Sequence, residues 1–251
     1  NRICTDIENC AGDTSIALSM ISDDSFYMEM KKDYAPEMVT AFIRLNGATV
    51  GCVANRSEVY TDGEKTATYD AALTAAGCEK AAAFVNFCNA FEIPVLTLVN
   101  VDGYKNCKCN EKKIAKAAAR LTYAFANADV PKVTVVVGKA NGTAGLTMNS
   151  KSIGSDIVYA WKNAKIGVME AAPAVKIMYA DEIAKADNAA ALINEKAAQY
   201  NEMQASALAA AKRGYVDDII EASETRQRVV AAFEMLFTKR EDRPSKKHGT
   251  I

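Results

Sequence analysis

Residues 38–54 have the sequence MVTAFIRLNGATVGCVA, and this stretch decides the fold class. Its two halves, Met38 to Leu45 and Thr49 to Ala54, are rich in residues that favour β-strands. Between them lies Asn46-Gly47, a dipeptide that tolerates the positive φ angles of a two-residue hairpin turn. A helical pattern follows at Cys78 to Phe91, so the sequence predicts an α/β protein built of ββα or βαβ units.

The rest of the chain continues the alternation of apolar strands and helices. The next predicted elements are a strand at Val95 to Val101, a helix at Glu111 to Ala128, a strand at Val133 to Val137, and the paired strands Asp156 to Trp161 and Lys165 to Met169. The turn Asn141 to Gly145, before a short helix, precedes that pair and makes this a third unit of the same layout.

The C-terminal part predicts two further helices separated by a strand. The first helix, Asp187 to Arg213, is long and rich in Ala, and Gly214 can cap it because Gly accepts a left-handed conformation. A strand at Val216 to Ile220 leads to the last helix, for which Ser223 is the predicted N-cap. The other predictions are a helix-like stretch at Arg2 to Cys10, a long loop at Asn55 to Tyr69 and a basic surface arm at Lys239 to Ile251.

Composition limits the classes of protein to which the chain can belong. Its 251 residues, 50% of them apolar, suffice for one domain, and we expect a single domain over residues 1–251. Lys and Arg number 30 against 31 Asp and Glu, so no large field of one sign is available to bind a nucleic acid. The chain begins at Asn1 without an initiator Met, which indicates a piece of a longer polypeptide.

The cysteines and the apolar runs predict a cytoplasmic protein. Cys52, Cys78 and Cys88 lie inside apolar or helical patterns, where a free Cys behaves as a small hydrophobe, so we expect a reducing compartment. The sequence has no signal peptide, and its apolar runs are far shorter than the roughly 20 residues of a membrane-spanning helix. We therefore expect a soluble chain with no membrane insertion.

Several classes of active site are excluded by the residues that they would need. The single histidine, His248, lies three residues from the end in a basic stretch, so a catalytic triad is not expected. Phosphate-binding and dinucleotide-binding Gly motifs are missing, as is His/Cys metal-ligand spacing. Cys107-Lys108-Cys109 comes nearest to a metal or redox site, but without a second pair it is better interpreted as a flexible surface loop, and no metal site is predicted.

The remaining chemical possibility lies in the backbone after the strand Val133 to Val137. That strand leads into Gly142-Thr143-Ala144-Gly145 and then a helix, whose first N–H groups are free to donate hydrogen bonds. Such donors can hold a developing oxyanion, and small side chains let a ligand approach. A Gly-rich turn of this kind is also common as mere geometry, so the residues alone leave both interpretations open.

Motifs along nearly the whole chain resemble those of the carboxyltransferase subunit of biotin-dependent acyl-CoA carboxylases and decarboxylases. The segment FIRLNG at 42–47 followed by VGCVAN at 50–55 is similar to that family's "FARLNG…VGVVAN" hairpin. The segment KAAAFVNFCNAF at 80–91 is similar to its "KAARFVRFCDAFNIP" helix, and VPKVTV at 130–135 matches "VPKVTVI". Further matches follow in order at Ala160-Trp161, 166–169, 213–220 with Thr225-Arg226, and at Arg243-Pro244 and Lys247-His248.

The resemblance implies a crotonase-like fold, a spiral of repeated ββα units with backbone oxyanion holes. The matched motifs belong to the C-terminal half of that subunit, which binds biotin carried on a partner, the biotin carboxyl carrier protein. The N-terminal half, which the chain lacks, binds the acyl-CoA. The resemblance therefore implies that the chain is half of an acyl-CoA carboxyltransferase that moves a carboxyl group between carboxybiotin and an acyl-CoA.

The resemblance also implies which residues form the site. Thr143 and Ala144 stand where the family has the Gly-Ala pair whose amides hold the ureido oxygen of biotin. Gly142 and Gly145 flank them, and Asn100, Gly103 and Tyr104 lie in the segment NVDGY, which corresponds to the family's "DVPGF" loop beside biotin. These seven residues are the predicted site, with Thr143 and Ala144 in the catalytic role.

Several departures from the family pattern support an alternative without biotin chemistry. Asn100 replaces an Asp, Asp102 a Pro and Thr143 a Gly, and Pro173 removes a backbone donor. The alternative is a degenerate half that serves as a structural and dimerisation scaffold. Asp217, Asp218 and Arg226 in a matched motif are interpreted as salt-bridged, and Trp161 and Tyr159 as core or interface residues.

A biotin surface without its acyl-CoA surface is not a complete reaction centre, so we expect the chain to associate with other subunits. The predicted partners are the N-terminal carboxyltransferase half and further copies of the same chain, as a dimer or a higher homo-oligomer. The Ala-rich helices Asp187 to Arg213 and Glu111 to Ala128 are the candidate interface, because small side chains allow close approach. Packing of the same Ala residues within the monomer is the alternative.

Overall fold

A computed structural model of the chain describes residues 3–61, 63–186 and 188–241. Its strands are β1 Tyr27–Glu29, β2 Met38–Leu45, β3 Ala48–Asn55, β4 Glu58–Thr61, β5 Glu64–Thr68, β6 Ala72–Leu73, β7 Val95–Val101, β8 Gly103–Tyr104, β9 Lys132–Asn141, β10 Ile157–Trp161, β11 Lys165–Gly167 and β12 Asp218–Ile220. Its α-helices are α1 Thr14–Ile21, α2 Ala75–Ala90, α3 Lys108–Asn127, α4 Gly142–Thr147, α5 Ala171–Met178, α6 Ala180–Lys185, α7 Ala189–Tyr200, α8 Ala207–Lys212 and α9 Thr225–Leu236.

One mixed sheet organises the molecule, with strands in the order β1-β2-β3-β7-β9-β10-β12 and β11 added beside β9. The pairs β1–β2 and β2–β3 are antiparallel, whereas β3–β7, β7–β9, β9–β10 and β10–β12 are parallel. Parallel neighbours need crossover connections, and α2 and α3 supply those before β7 and β9. The α/β class predicted from the sequence is confirmed.

A hydrophobic core lies on each face of this sheet. On one face the apolar sides of α2 and α3 pack over the strands, through residues such as Phe84, Leu121 and Phe125. On the other face α1 and α9 cover the strands, through residues such as Leu18, Ile21 and Val229. Cys52, Cys78 and Cys88 are buried in these cores, as their sequence context predicted. Within the described ranges, none of the helices has both the length and the apolar character to cross a membrane.

The N-terminal hairpin forms as the sequence predicts. Asn46 and Gly47 adopt φ angles of 55° and 81°, and β2 pairs with β3 in register from Met38–Asn55 to Leu45–Ala48. The carboxylate of Asp23 accepts hydrogen bonds from both turn amides, at 3.2 Å from Asn46 N and 2.8 Å from Gly47 N. The predicted strand Val95 to Val101 and the helices around Cys78 to Phe91 and Glu111 to Ala128 are also present, the helices starting three residues earlier.

Four sequence predictions about the elements are wrong in detail. Residues 55–69 are not a loop, because β4 and β5 pair there as an antiparallel hairpin. The strands β10 and β11 do not pair with each other, since each pairs in parallel with a different part of β9. The turn after β9 is itself the start of the short helix, because α4 begins at Gly142. Cys107-Lys108-Cys109 is not a flexible loop, because Cys107 is the N-cap of α3.

The C-terminal predictions also need correction. The helix expected from Asp187 to Arg213 is two helices, α7 and α8, separated by a π-helical turn at Asn201–Ala205 and an extended Ser206; Asp187 itself lies outside the described residues. Ser223 lies in a 3-10 turn, Ala222–Glu224, and does not cap α9. The strand predicted at Val216 to Ile220 is limited to β12.

The two ends of the chain are described only in part. Of the predicted helix-like stretch Arg2 to Cys10, only Ile7–Cys10 is helical among the described residues, as one 3-10 turn. The predicted arm is described only at 239–241, where the ammonium of Lys239 lies 2.9 Å from a carboxylate oxygen of Asp156. Asn1, Arg243-Pro244 and Lys247-His248 lie outside the described residues.

Candidate functional site

A cavity of about 510 Å³ lies beside the junction of β9 and α4. Gly142, Thr143 and Gly145 of the predicted site line it. Most of the remaining wall near the sheet is apolar, with Val136, Ala140, Val158 and Ile166 among its residues. In parallel sheets, ligands bind outside the carboxyl ends of the strands, and this cavity opens at that end of β9.

The backbone at the junction requires both of its glycines. Gly142 has a φ angle of +58°, and a Cβ there would lie 3.0 Å from the carbonyl oxygen of Val168. A Cβ at Gly145 would lie 2.7 Å from the carbonyl carbon of Ala140. Because these neighbours are backbone atoms, neither can move aside, and the chain can turn this tightly only with glycine at both positions.

The first amides of α4 lack a capping side chain. The N-cap residue Asn141 makes no side-chain cap hydrogen bond, and its Nδ2 donates to the Oδ1 of Asp102 at 3.0 Å. In a helix the first N–H groups have no intrahelical acceptor. Thr143 is exposed at the cavity, whereas the side chain of Ala144 is buried, so only the backbone of Ala144 is a candidate for ligand contact.

Asn100 fixes the position of β9 and does not line the cavity. Its Oδ1 accepts a hydrogen bond from Lys139 N at 3.1 Å, and its Nδ2 donates to Ala11 O at 2.9 Å. Its backbone N–H donates to the Oδ1 of Asn55, and the Nδ2 of Asn55 donates back to its carbonyl oxygen. Both functional groups of the Asn100 side chain are therefore bound to backbone atoms of this chain.

Gly103 and Tyr104 approach α4 without lining the cavity. They form β8, which pairs in parallel with β6. The hydroxyl of Tyr104 lies 3.1 Å from the Oγ1 of Thr147, and the Oγ1 of Thr147 donates to the carbonyl oxygen of Thr143 at 2.9 Å. Tyr104 is therefore linked to the start of α4 through Thr147. The structure thus brings together three of the seven predicted residues at the cavity and places the others around it.

A network of charged side chains lies beside the junction of β9 and α4. The ammonium of Lys139 lies 2.8 Å from Asp102 Oδ2 and 2.7 Å from Glu170 Oε1. Partial burial lowers the pKa of Lys139, but hydrogen bonds to the two carboxylates outweigh this effect and leave its pKa raised. The hydrogen bond from Lys139 lowers the pKa of Glu170. The only sequence signal for this network is the position of Lys139 at the end of a strand.

The outer wall of the cavity comes from residues 200–213, of which only Arg213 belongs to a matched motif. Tyr200, Gln204 and Arg213, from α7, the π turn and the residue after α8, contribute to it. The guanidinium of Arg213 donates to the carbonyl oxygen of Gln204 at 2.9 Å, which ties the π turn to the end of α8. A sequence pattern for a continuous helix gives no sign that these residues meet.

The charged residues of the matched motif at 213–226 form ion pairs and Trp161 is a core residue, as the sequence predicted. Asp217, Asp218 and Arg226 form ion pairs, with Lys151 at 2.8 Å, Arg228 at 3.6 Å and Asp23 at 2.5 Å respectively. Trp161 is buried, and its Nε1 donates to Thr225 Oγ1 at 2.9 Å. These residues hold β10, β12 and α9 together.

Comparison with known proteins identifies the family. The profile of the carboxyl transferase domain matches residues 4–251. The chain belongs to the carboxyl transferase family. The resemblance drawn from the motifs is therefore confirmed.

Two relatives show how much of a subunit the chain represents. The methylmalonyl-CoA carboxyltransferase 12S subunit of Propionibacterium freudenreichii subsp. shermanii is 40% identical over 240 residues, which are 95% of this chain and 44% of the relative. The methylmalonyl-CoA decarboxylase subunit alpha of Propionigenium modestum is 40% identical over 241 residues, which are 93% of this chain and 44% of the relative. The chain spans less than half the length of these relatives, as expected for half of a carboxyltransferase subunit.

Solved structures confirm the fold. A structure of transcarboxylase 12S, described as a hexamer assembly with hydrolysed methylmalonyl-coenzyme A bound, superposes with a TM-score of 0.86 at 41% identity, covering 94% of this chain and 44% of that one. The beta subunit of geranyl-CoA carboxylase from P. aeruginosa gives a TM-score of 0.76 at 25% identity, covering 95% of this chain and 44% of that one. The carboxyltransferase family has a crotonase-like fold, and the predicted fold is thereby confirmed.

Proposed function

We propose that the chain is the biotin-facing half of an acyl-CoA carboxyltransferase that moves a carboxyl group between carboxybiotin and an acyl-CoA. One observation carries the proposal. In a member of the carboxyl transferase family, the uncapped start of α4 lies at a cavity lined by Gly142, Thr143 and Gly145. On this basis the amides of Thr143 and Ala144 are the donors that hold the ureido oxygen of biotin.

The surroundings of these amides suit the stabilisation of negative charge on an oxygen. The adjacent wall is formed mainly by aliphatic side chains, and hydrogen bonds to an anion are stronger where the local dielectric constant is low. Donors that the fold already orients need no reorganisation when charge develops. When bound, biotin supplies the ureido nitrogen that carries the carboxyl group, and the chain's part is to bind and orient that ring.

Other residues of the predicted site have positioning roles in this proposal. Asn100 fixes the end of β9 through its bond to Lys139 N, and Tyr104 supports α4 through Thr147. The ion pairs of Lys139 with Asp102 and Glu170 fix the strand on its other side. The side chains of Asn100, Tyr104 and Lys139 need not contact biotin for the amides of α4 to be held in place.

The proposed reaction needs a carrier for biotin and a binding site for the acyl-CoA, and both require partners of this chain. We propose that biotin arrives on a biotin carboxyl carrier protein and that the N-terminal carboxyltransferase half binds most of the acyl-CoA. Relatives at 40% identity are named for methylmalonyl-CoA and propionyl-CoA, so a short-chain acyl-CoA of this pair is the proposed substrate. A cytoplasmic location and a homo-oligomer belong to the same proposal.

The proposal is tested by a substitution that removes one backbone N–H from α4 and leaves the polar side chains of the site unchanged. In the full-length protein, Ala144→Pro should lower kcat/KM for free biotin as carboxyl acceptor by about 100-fold, the effect of losing one oxyanion donor. Ala144→Ser is the matched control, because it keeps the amide at the same position. Thermal melting of both variants checks the fold. An unchanged rate in a folded Ala144→Pro protein would contradict the role of this amide.

A second variant, Thr143→Gly, tests the biotin site independently if the proline disturbs the fold of α4. Thr143 stands where the family has Gly, and its side chain is exposed at the cavity. Thr143→Gly should lower the KM for free biotin, because it opens the approach to the amides. The scaffold alternative predicts instead that biotin does not bind, and calorimetry in the presence of the N-terminal half distinguishes the two. Saturable binding displaced by a biotin analogue would exclude the scaffold.

One departure that motivated the scaffold has little structural effect. Pro173 is the third residue of α5, and the N–H that a proline removes at that position would have no acceptor within the helix. The departures at Asn100, Asp102 and Thr143 remain as the features that favour the scaffold.

A further inference from the structure

A pair of thiols at the start of α3 lies outside the cavity and is not used by the proposed carboxyl transfer. Cys107 is the N-cap of this 20-residue helix, and Cys109 lies in its first turn. Their sulfur atoms are 3.1 Å apart. Cys109 is exposed and Cys107 is half-buried, so small molecules in solution can reach the pair.

Of the other five cysteines four are buried, and Cys10 is half-buried with a pKa that burial and the nearby carboxylate of Asp13 raise. Cys4, Cys52, Cys78 and Cys88 are buried, and burial raises the pKa of Cys78 and of Cys88 to about 12. A thiolate, rather than a thiol, is the nucleophile in disulfide exchange. These buried thiols are therefore poor reactants in the folded chain.

The surroundings of Cys107, unlike those of the buried cysteines, lower the pKa of its thiol. A hydrogen bond from the Cys109 thiol lowers the pKa of Cys107, and the backbone N–H of Asn110 and the charge of Lys105 act in the same direction. The positive end of the α3 dipole also favours an anion at this position. Thiolates at helix N-termini are typical of reactive cysteines.

We propose that Cys107 and Cys109 are a redox-active dithiol that closes reversibly to an intramolecular disulfide by exchange with low-molecular-weight disulfides such as oxidised glutathione. In the first step the Cys107 thiolate attacks one sulfur of the oxidant, which breaks its S–S bond, forms a mixed disulfide and releases one thiolate. In the second step Cys109, after losing its proton to water, attacks the Cys107 sulfur and releases the second thiolate. The chain loses two electrons and two protons, and one disulfide is reduced to two thiols.

The geometry favours this second step over a stable mixed disulfide. A disulfide has an S–S distance of about 2.05 Å, so the two sulfurs must approach by only about 1 Å. Coordination of a metal ion is less well supported. Across the parts of the chain that the structure describes, no group of three or more His, Cys, Asp and Glu residues is placed to hold a metal ion, so the thiol pair has no third ligand of those types.

The experiment measures the redox state of Cys107 and Cys109 in glutathione buffers that contain an increasing fraction of the oxidised form. After alkylation of free thiols, digestion with a protease that cleaves after acidic residues keeps Cys107 and Cys109 on one peptide, since Lys108 separates them and Glu111 follows. Mass spectrometry should show loss of two hydrogen atoms from this peptide with a defined midpoint. Cys52, Cys78 and Cys88 should become alkylated only after denaturation.

Two single variants assign the roles. Cys109→Ser should accumulate a stable glutathione adduct on Cys107, and that adduct should form faster than the adduct on Cys109 in Cys107→Ser. The wild-type chain in denaturant is the control for the effect of the fold, and its Cys107, followed on the same peptide, should react more slowly than Cys107 of the folded chain at the same pH. Stable adducts in the wild type without the intramolecular disulfide, or equal rates in the two variants, would overturn the proposal.

Discussion

At the scale of single residues, the junction of β9 and α4 leaves no room for side chains at its glycines. Gly145 is buried, and a Cβ there would meet Ala140 backbone at 2.7 Å. We expect Gly145→Ala to lower the free energy of unfolding by about 1–3 kcal/mol, the usual cost of overpacking. Gly103→Ala is the matched control, since no atom lies within 4 Å of its added Cβ. Urea unfolding of both variants measures the difference, and equal losses would contradict the steric argument.

We expect the buried Lys80 to make the folding stability of the chain depend on pH. Its side chain is 2% exposed, its Nζ donates to Ala35 O at 3.3 Å, and burial lowers its pKa from 10.5 to about 8. Between these values the unfolded chain binds the proton and the folded chain does not, so folding stability rises with pH across this window. The shift corresponds to about 3 kcal/mol at 1.36 kcal/mol per unit.

Lys80→Met removes this titration. The variant's stability advantage over the wild type should therefore be largest below pH 8 and should shrink by about 3 kcal/mol as the pH passes 10.5. Chemical unfolding of both proteins along a pH series measures this difference. Parallel curves for the two proteins would show that Lys80 keeps its proton in the folded state.

At the scale of elements, Ser206 explains why α7 and α8 are separate helices. Its Oγ accepts from Ala209 N at 3.1 Å and donates to Glu202 O at 2.8 Å, so it caps α8 and closes the π turn. Ser206→Ala should lower the free energy of unfolding by about 1 kcal/mol. Ser223→Ala is the control, because Ser223 does not cap α9 and its substitution should have little effect. Thermal melting compares the two, and equal shifts would contradict the capping role.

At the scale of the whole molecule, the two Ala-rich helices differ in how they are packed. In α3, Ala117 and Ala124 are buried in the monomer core, so this face packs within the chain. Helix α7 has no buried residue, and Ile177 and Met178 on the neighbouring α5 are 70% and 61% exposed. The monomer thus leaves α5 and α7 open to a second subunit, and α7 remains the candidate from the predicted interface.

We expect this chain to form a two-fold dimer through that surface at micromolar concentration. Closed two-fold pairing is the commonest way to bury such a surface. Ile177→Glu should shift the chain to monomer, because it places a charge in the interface. Met235→Glu is the control, since Met235 is similarly exposed on α9. Sedimentation velocity measures both, and a monomeric wild type over this range would mean that pairing needs the N-terminal half.

The sequence by itself determined the elements whose signals are local. The hairpin Met38–Asn55 depends on Asn46-Gly47, because few other dipeptides tolerate positive φ angles at both positions. Helix α2 and strand β7 follow from continuous apolar patterns of the right length. Family membership also comes from the sequence, through motifs in order along nearly the whole chain.

Only the tertiary structure decided the features that depend on contacts between distant residues. Strand β9 pairs with β10 in its first half and with β11 in its second, and residues 189–213 break at Ser206, which bridges to Lys165. The wall that Tyr200, Gln204 and Arg213 give to the cavity depends on that break. The hydrogen bonds of the Asn100 side chain to backbone atoms of Lys139 and Ala11 are of the same kind. Local periodicity carries no information about such pairings, because their energy comes from groups that are far apart in the chain.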